Sequence, residues 1–392
     1  MPGAGRALVG PAVLVLNAGS SSLKAVLFDG AGAVLWQAAA SEIGGLAEFR
    51  VNGQVRAGQA ADHAAAARLM VAAVEASGYP TALIAGVAHR VVHGGAGLTG
   101  PQVLTPQVLA AIRAAAVLAP LHNPATVSVI EAMQAALAGV PHSVHFDTAF
   151  HATNPAVATT YALPQAERDA GLRRYGFHGL SYASLVARLP GLTGQPLPRR
   201  LLALHLGNGV SLCAIRDGQS VATTMGYSPL DGLTMGTRAG PMDGHAVRDI
   251  ARRHGIDGAT RLLNRESGLL ALGGASNMRA LQAAGTAEAE FAIAHFCYWA
   301  VRQSGSMIAA MGGLDAVAFT GGIGEHDAKV RDRILWGLEW AGVTLPGLGD
   351  DHSPSALNNS NRTVAVWVVT AAEEAHIATE AMTLMAQPEA RT

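Results

Sequence analysis

The chain has 392 residues, of which 50% are hydrophobic and only 14% charged, so it can bury large cores and is long enough for about two or three domains. Its net charge is −1 and its basic residues are scattered, which argues against nucleic acid, a membrane surface or an acidic partner as the ligand. Cys213 and Cys297 lie far apart without metal-ligand spacing, which indicates reduced core residues rather than a disulfide framework.

The region near the N-terminus could be mistaken for a signal peptide, because Ala7 to Leu23 carries no charge. However, Gly10, Pro11 and Asn17 interrupt it, and its continuous apolar run is shorter than the ~7–15 residues that a signal peptide needs. No segment approaches the ~20 apolar residues of a membrane-spanning helix. We therefore expect a cytoplasmic protein.

The first clear motif is a hairpin from Val13 to Asp29, in which a Gly- and Ser-rich turn joins two apolar runs. Gly19 allows close backbone approach, and serine hydroxyls and backbone N–H groups lie beside Lys24. This combination suits a polyphosphate. Lysine is rare here, since Lys24 and Lys329 are the only two in the chain. Alone, the motif could also be a serine-rich surface turn.

The hairpin recurs later in the chain. Leu201 to Gly218 again has a strand, a small polar turn, a strand and an Asp-Gly turn, and it aligns with the first hairpin at an offset of 188 residues. A repeat on this scale predicts two similar halves. Two phosphate-type turns would then face one another across a cleft between domains.

The other segments alternate between apolar strands and helical patterns, which is typical of an α/β fold. Strands are predicted at 33–36, 84–92, 144–146, 220–224, 316–320 and 364–369. Helices are predicted at 60–76, 106–118, 125–137, 181–189, 246–254, 259–263, 328–341 and 373–386, with a further helical region at 280–311 that breaks near Gly285.

Polar residues follow several predicted strands, and ligands in α/β folds bind beyond strand ends. Asn17, Asp147 and Glu373 offer oxygens for Mg²⁺, directly or through water. Arg90 and Arg238 offer planar guanidinium groups that fit carboxylate or phosphate.

Two histidines, His122 and His178, could donate hydrogen bonds to a charged transition state. Structural alternatives remain open at this point, because His178 could be a satisfied core histidine and Arg90 could cap a strand. Asp243 and Glu325 could be helix N-terminal caps. The P-loop, the protein-kinase catalytic loop and the Rossmann fingerprint are all missing from the sequence, so a phosphotransferase here would follow neither common kinase design.

Taken together, these segments resemble the acetate, propionate and butyrate kinase family. The similarity runs from Leu14 to Ala378, and two signatures carry it: Asn-Ala-Gly-Ser-Ser-Ser-Leu-Lys at Asn17–Lys24 and Thr-Met-Gly-Thr-Arg-Ala-Gly at Thr234–Gly240. Five further segments match in order, at 89–95, 146–151, 175–181, 205–209 and 319–325.

The resemblance implies the actin, sugar-kinase and heat-shock ATPase fold: an α/β protein of two duplicated ribonuclease-H-like domains with an active-site cleft between them. The implied domains are 1–149 with 375–392, and 150–374, the second of which binds nucleotide. A homodimer is the family expectation.

The resemblance also implies roles by position. Asn17 and Glu373 would hold Mg²⁺, with Mn²⁺ as an alternative. The implied catalytic residues are Asp147, His178 and Arg238, with Asp147 as an orienting group rather than a base. The residues implied to bind the carboxylate substrate are Arg90, Val92, Leu121, His122, Phe177 and Pro229. The residues implied to bind ATP or ADP are Lys24, His205, Leu206, Gly207, Asn208, Gly209, Asn277, Met278, Arg279, Gly322, Ile323, Gly324, Glu325 and His326.

The implied reaction is reversible, Mg²⁺-dependent, direct in-line transfer of the ATP γ-phosphoryl group to acetate, giving acetyl phosphate and ADP. Val92 favours a small acyl pocket. Two alternatives stay open: a propionate or butyrate kinase, and a nucleotide-binding module of the same fold without kinase activity. Departures from the family pattern, mostly around the predicted nucleotide side, leave nucleotide preference open; they are Ala222, Pro241, Asn277, His326 and Ala372.

Overall fold

The computed structural model describes residues 10–45, 48–56, 58–344 and 363–386. The chain divides into two compact units, Met1–Ala149 with Ala372–Thr392, and Phe150–Ala371. The predicted division into domains stays a prediction, and its segments 1–9 and 387–392 lie outside the described residues. Within the described ranges, no helix is long and apolar enough to cross a membrane.

The strands, in chain order, are β1 (Ala12–Ala18), β2 (Ser22–Phe28), β3 (Val34–Ser41), β4 (Glu48–Val51), β5 (Gln54–Arg56), β6 (Ile84–Val91), β7 (Gln102–Val103), β8 (His142–Phe146), β9 (Arg200–Leu206), β10 (Val210–Arg216), β11 (Gln219–Thr223), β12 (Ala316–Thr320) and β13 (Ala365–Val368).

The helices are α1 (His63–Ala76), α2 (Pro106–Ala114), α3 (Asn123–Ala136), α4 (Ala156–Thr159), α5 (Gln165–Asp169), α6 (Gly179–Thr193), α7 (Gly244–Arg265), α8 (Gly268–Gly273), α9 (Met278–Ala284), α10 (Ala287–Met311), α11 (Gly321–His326), α12 (Ala328–Trp336) and α13 (Glu373–Met385).

Most predicted elements are confirmed with small shifts at their ends. The strand at 316–320 has the predicted bounds, and Gly285 divides α9 from α10 in a left-handed conformation with φ of 60°. The two helices predicted at 246–254 and 259–263 form one helix, α7, with a kink at Gly255. Asp243 caps α7 as predicted, because its side chain accepts hydrogen bonds from the N–H groups of His245 and Ala246.

The first unit contains an eight-stranded sheet with the order β5-β4-β3-β2-β1-β6-β8-β7, and the second a five-stranded sheet with the order β11-β10-β9-β12-β13. In the first sheet, β3-β2-β1 are antiparallel neighbours, and β6 and β8 continue from β1 in parallel. The second sheet repeats this pattern: β11-β10-β9 are antiparallel, and β12 and β13 continue in parallel. The predicted α/β fold with two similar halves is therefore confirmed.

The repeat holds at the level of register. Asn17 of β1 pairs with Arg90 of β6, and His205 of β9, at the offset of 188 residues from Asn17, pairs with Thr320 of β12. These are the last residue pairs of β1 with β6 and of β9 with β12. Each pair therefore lies at the carboxyl ends of the parallel strands of its own sheet. This edge is where an α/β fold places its ligands.

Side-chain alternation determines which helices cover each face of the first sheet. Leu14, Leu16 and Leu23 point into a core formed with α1 and α3. The other face of β1, β6 and β8 is covered by α13. Gly86 of β6 lies on this covered face, and Met385 of α13 occupies the space that a Cβ atom at Gly86 would need.

The second sheet is covered in the same way. Leu201 and Ala203 of β9 lie in a core with Tyr182, Leu185 and Leu189 of α6. The opposite face contacts α10, mainly through β10. Each unit therefore fixes the position of its strand ends through a helix layer on both faces of the sheet.

A partly buried polar pair joins α13 to β8. His145 is fully buried, and its Nδ1 lies 2.8 Å from Glu380 Oε2, while its Nε2 lies 3.0 Å from Ser143 Oγ. His376 Nε2 lies 3.4 Å from the other carboxylate oxygen of Glu380. Burial acts to raise the pKa of Glu380, but the hydrogen bond with His145 and the proximity of His376 outweigh it and lower that pKa to about 2.

We predict that this pair makes the stability of the first unit depend on acid pH. A pKa lowered from the ordinary 4.5 to about 2 gives stabilisation that is complete above pH 4.5 and is lost as pH falls toward 2. Glu380→Gln should therefore lower the free energy of unfolding at neutral pH by about 1–3 kcal/mol, and with it the thermal midpoint. The difference in thermal midpoint from wild type should shrink below pH 4.5. Thermal unfolding from pH 3 to 7 measures this.

Glu131→Gln is the matched control, because Glu131 is an exposed glutamate of the same unit, paired with Arg113 on the surface. Its effect should be small at every pH, since exposed ion pairs contribute about 0–1 kcal/mol. A Glu380→Gln gap that stays constant across the pH range would contradict the prediction.

Candidate active site

In the first unit, Arg90 is held in a fixed orientation at the end of β6. Its Nε lies 2.9 Å from Asp147 Oδ1 and its Nη2 lies 2.6 Å from Asp147 Oδ2, while its Nη1 donates to Asn17 Oδ1 at 2.8 Å. These three residues lie at or just after the ends of β6, β8 and β1, which are neighbouring parallel strands. Burial acts to lower the pKa of Arg90, but Asp147 raises that pKa above its ordinary value.

The start of α13 adds two carboxylates to this cluster. Glu374 Oε1 lies 2.9 Å from Lys24 Nζ and accepts a 3.4 Å hydrogen bond from Asn17 Nδ2. Burial raises the pKa of Glu373 to about 7; Asp147 and Glu374 also raise it, and Arg90 and Lys24 oppose the rise. The cluster therefore has more carboxylate than its two cations compensate.

The donor set suits Mg²⁺. Asn17, Asp147 and Glu373 provide amide and carboxylate oxygens, which are the ligands that Mg²⁺ prefers. The raised pKa of Glu373 indicates a buried carboxylate whose charge a cation would stabilise. In the described part of the chain, no three His, Cys, Asp or Glu side chains are grouped to hold a metal ion. Mg²⁺ usually binds one or two protein carboxylates and takes its other ligands from water or phosphate.

Three further predicted residues belong to the first unit. Val92 is buried just after β6, and Leu121 is 40% exposed. His122 is partly buried and precedes the first residue of α3.

In the second unit, His178 has a strained backbone. It is the N-cap of α6 with φ of 58°, a left-handed conformation that is uncommon for residues other than glycine. Its Nδ1 lies 2.9 Å from Ser211 Oγ, and its ring stacks on that of His205 with centroids 4.1 Å apart. Strain of this kind is concentrated at functional sites.

Arg238 and His178 converge on Gly209. A Cβ atom added at Gly209 would lie 3.0 Å from His178 Nε2 and 3.6 Å from Arg238 Nη1. Arg238 Nη1 also donates to the carbonyl oxygen of Pro229 at 3.2 Å, and burial lowers the pKa of Arg238. The backbone of Gly209 thus lies against two side chains able to donate hydrogen bonds to an anion.

The predicted nucleotide segments pack together within the second unit. Gly321, at the start of α11, lies against the backbone of Leu206, where a Cβ atom would come within 2.8 Å of the Leu206 carbonyl oxygen. Gly236 packs in the same way against Asn208 and Ser276. Asn277 caps α9, since its Oδ1 accepts a 2.8 Å hydrogen bond from the Ala280 N–H.

A cavity of about 640 Å³ opens beside these segments. Six of the residues predicted to bind nucleotide line it: Asn277, Met278, Arg279, Gly322, Ile323 and His326. Four residues that sequence reasoning did not include complete the lining: Gln282, Asp327, Ala328 and Lys329. The volume is in the usual range for small-molecule sites, about 300–1,000 Å³.

Glu325 has a different role from the predicted helix cap. It lies near the end of the six-residue α11, and its Oε1 accepts hydrogen bonds from the N–H groups of Gly321 at 3.0 Å and Ala371 at 2.9 Å. The structural alternative of a helix N-terminal cap at Glu325 therefore does not hold, because the carboxylate joins the start of α11 to the segment after β13. Its assignment to the nucleotide site stays a prediction.

Sequence reasoning missed Glu374 and three residues around the histidines. Ser211 and Tyr182 form a chain of hydrogen bonds to His178, and Ser181 Oγ lies 2.8 Å from His205 Nδ1. Ser211 pairs with His205 in the second hairpin just as Lys24 pairs with Asn17 in the first. The repeat therefore points to Ser211 as the counterpart of Lys24. A constant offset of 188 residues misses this match, because the second hairpin has one residue fewer between its last paired positions.

Comparison with known proteins agrees with the motifs. The model of the Acetokinase family matches residues 12–379. The chain belongs to the acetokinase family. An acetate kinase of Methylocella silvestris is 40% identical over 399 residues, which cover 96% of this chain and 98% of that protein. The predicted family and the prediction of an enzyme of the kinase type are therefore confirmed.

Solved structures support the same assignment. The acetate kinase of Porphyromonas gingivalis has a TM-score of 0.86 at 32% identity, covering 96% of this chain and 100% of that one. A propionate kinase from Francisella tularensis subsp. tularensis has a TM-score of 0.88 at 31% identity, covering 95% and 99%. The acetokinase fold thus extends over nearly the whole chain, whereas the two names differ in acyl substrate.

The convergence on Gly209 gives a prediction. Gly209→Ala should leave the fold intact but lower kcat by about 10- to 100-fold, because the new methyl group must displace the His178 ring by a few tenths of an ångström. Steady-state kinetics and thermal unfolding measure the two effects.

Gly191→Ala is the matched control, since a Cβ atom at this glycine of α6 meets nothing within 4 Å. It should keep wild-type kcat and be as stable or slightly more stable, by about 0.4–1 kcal/mol. Equal kcat in the two variants would show that Gly209 does not constrain the site.

Proposed function

We propose that the chain catalyses the reversible, Mg²⁺-dependent transfer of the γ-phosphoryl group of ATP to acetate, which yields acetyl phosphate and ADP. Membership of the acetokinase family and the relatives named acetate kinase support the substrate class. The observation that carries the mechanism is the pair of anion donors, His178 and Arg238, set around the backbone of Gly209.

The chemistry requires little covalent assistance. An oxygen of acetate attacks the γ-phosphorus in line, the bond from phosphorus to the β–γ bridging oxygen breaks, and ADP leaves with that electron pair. Since the nucleophile is already an anion, no strong base is needed. The difficulty is to bring anions together and to stabilise charge on the equatorial phosphoryl oxygens.

The first unit would contribute charge and orientation. Asn17 and Glu373 would hold Mg²⁺, whose charge offsets that of the phosphates, and Lys24 would lie near those phosphates. Arg90 would bind the carboxylate. Asp147 supports this role, because both of its oxygens are engaged by Arg90 and it is therefore better placed to orient that guanidinium than to accept a proton.

The second unit would contribute the nucleotide site and the transition-state donors. Arg238 and His178 would stabilise the transferring phosphoryl group. ATP would bind along the segment His205–Gly209 and in the cavity lined by 277–279 and by Gly322, Ile323 and His326. Gly324 and Glu325 would support this site from within α11.

The acyl methyl group would be bound by apolar side chains, of which Val92 and Phe177 are buried in the structure. Leu121, Pro229 and His122 are assigned to the same substrate. A propionate kinase is the second candidate, favoured by the solved propionate kinase of similar fold. One methylene is worth only about 1–3 kcal/mol in such a pocket, so some overlap in substrates is expected.

An assay that traps acyl phosphate with hydroxylamine tests the function. With ATP, Mg²⁺ and acetate, the wild-type protein should form acetyl hydroxamate, and omission of Mg²⁺ should abolish it. Specificity constants should fall from acetate to propionate to butyrate, because Val92 limits the pocket. A preference for propionate or butyrate would favour the second candidate, and no product with any of the three acids would favour a nucleotide-binding module.

Arg90→Lys tests the role of the planar guanidinium. A lysine keeps the charge but cannot make the paired contacts to Asp147 together with the contact to Asn17, so the KM for acetate should rise and kcat/KM should fall by about 10- to 100-fold. The KM for ATP should change much less. Steady-state kinetics with each substrate varied in turn measures this.

Arg113→Lys is the control for Arg90→Lys, because Arg113 is an exposed arginine of the same unit. It should keep wild-type kinetics. If Arg90→Lys raises the two KM values equally, Arg90 does not bind the carboxylate selectively.

The predicted homodimer and cytoplasmic location remain proposals from the family resemblance. Sedimentation velocity over a range of protein concentrations tests the dimer.

A further inference from the structure

We propose that Tyr182 and Ser211 are positioning residues that fix His178 in the tautomer with its proton on Nε2. This inference rests on the proposed function, in which His178 donates a hydrogen bond to the transferring phosphoryl group. It assigns the direction of a buried hydrogen-bond relay from Tyr182 through Ser211 to His178.

The relay is continuous and buried. Tyr182 Oη lies 2.6 Å from Ser211 Oγ, and Ser211 Oγ lies 2.9 Å from His178 Nδ1. Tyr182 and Ser211 both have 0% exposure, on α6 and β10. The opposite ring nitrogen of His178, Nε2, is the one that faces Gly209.

The burial of Tyr182 sets the direction of the relay at its far end. Burial raises the pKa of Tyr182 well above its ordinary value, so the hydroxyl keeps its proton. In the described part of the chain, Ser211 Oγ is the hydrogen-bond partner of this fully buried hydroxyl, so the Tyr182 proton points at Ser211 Oγ.

Ser211 then has one proton of its own to place. Having accepted from Tyr182, its hydroxyl can donate to His178 Nδ1, which must carry a lone pair to receive it. In a neutral imidazole the proton is then on Nε2. That nitrogen faces Gly209, beside Arg238, so the ring presents a donor rather than a lone pair where an anion would bind.

Other contacts keep the ring of His178 in place. The His178 backbone is fixed as the left-handed N-cap of α6, and its ring stacks on His205 with an interplanar angle of 23°. His205 has a serine of its own, since Ser181 Oγ lies 2.8 Å from His205 Nδ1. The two rings therefore each have a serine hydroxyl at Nδ1.

The tautomer can be read without turnover. In a two-bond ¹H–¹⁵N correlation spectrum of ¹⁵N-histidine-labelled protein, with the His178 signals assigned through His178→Gln, the wild type should show Nε2 protonated and Nδ1 unprotonated. Ser211→Ala should convert part or all of the population to the other tautomer. A wild-type ring protonated at Nδ1 alone would overturn the proposal.

Kinetics supplies the second readout. Ser211→Ala should lower kcat by about 10- to 100-fold with KM values for ATP and acetate within about threefold of wild type, because the lost interaction matters in the transition state. Tyr182→Phe, which keeps the ring in the core, should act in the same direction with a smaller loss. Ser304→Ala removes another fully buried serine of the same unit, on α10, and should keep wild-type kcat.

A double-mutant comparison separates the relay from a purely structural effect. If Ser211 acts through His178, Ser211→Ala should have little further effect on kcat in a His178→Ala background. A full additional loss there would overturn the proposal. If the wild type forms no acyl phosphate, the proposed function fails, whereas the tautomer spectrum still decides the direction of the relay.

Discussion

The Arg90–Asp147 ion pair depends on a geometric constraint that organises the first unit. The neighbouring parallel strands β1, β6 and β8 have their carboxyl ends side by side, and each places one polar side chain there. Asn17 and Asp147 orient Arg90 through three hydrogen bonds of 2.6–2.9 Å, so the guanidinium loses little further freedom on binding an anion. Breaking such a buried pair costs far more than forming it stabilises, so the three positions act as one unit.

Charge balance in this cluster explains why Glu373 and Glu374 differ. Lys24 and Asn17 contact Glu374, and although burial acts to raise its pKa, these contacts lower it. For Glu373, one residue earlier on α13, Arg90 and Lys24 offset burial only in part, and burial raises its pKa to about 7. The two adjacent carboxylates thus have opposite electrostatic environments. That asymmetry agrees with assigning the metal to Glu373 and the lysine to its neighbour.

Much of the architecture could be predicted from the sequence, because apolar runs and helical periodicity are local properties. The hairpin of β4 and β5 was missed, although Asn52-Gly53 occupies its turn with φ values of 48° and 79°, the conformation that an Asn-Gly turn favours. Its strands give a weak signal, because the apolar alternation of β4 spans only four residues and β5 is fully exposed. The alternative of a cap at Glu325 fitted locally, because a carboxylate near a glycine-rich turn is typical of a helix start. The second partner of Glu325, Ala371, is distant in sequence.

The same duplicated scaffold has been specialised at equivalent strand ends. In the first unit, Arg90 and Asp147 lie at or just after the ends of β6 and β8 and provide charge. In the second unit, Thr320 takes the position of Arg90 and is followed by Gly321, whose φ of 78° and contact with Leu206 exclude a side chain. Charged side chains can hold a metal and a carboxylate, and a bare backbone allows close approach of a nucleotide. The position of Asn17 is taken by His205, which instead stacks on His178. Sequence divergence on one topology thus accounts for the different tasks proposed for the two units, since the register provides the positions and the residue types decide what each position can bind.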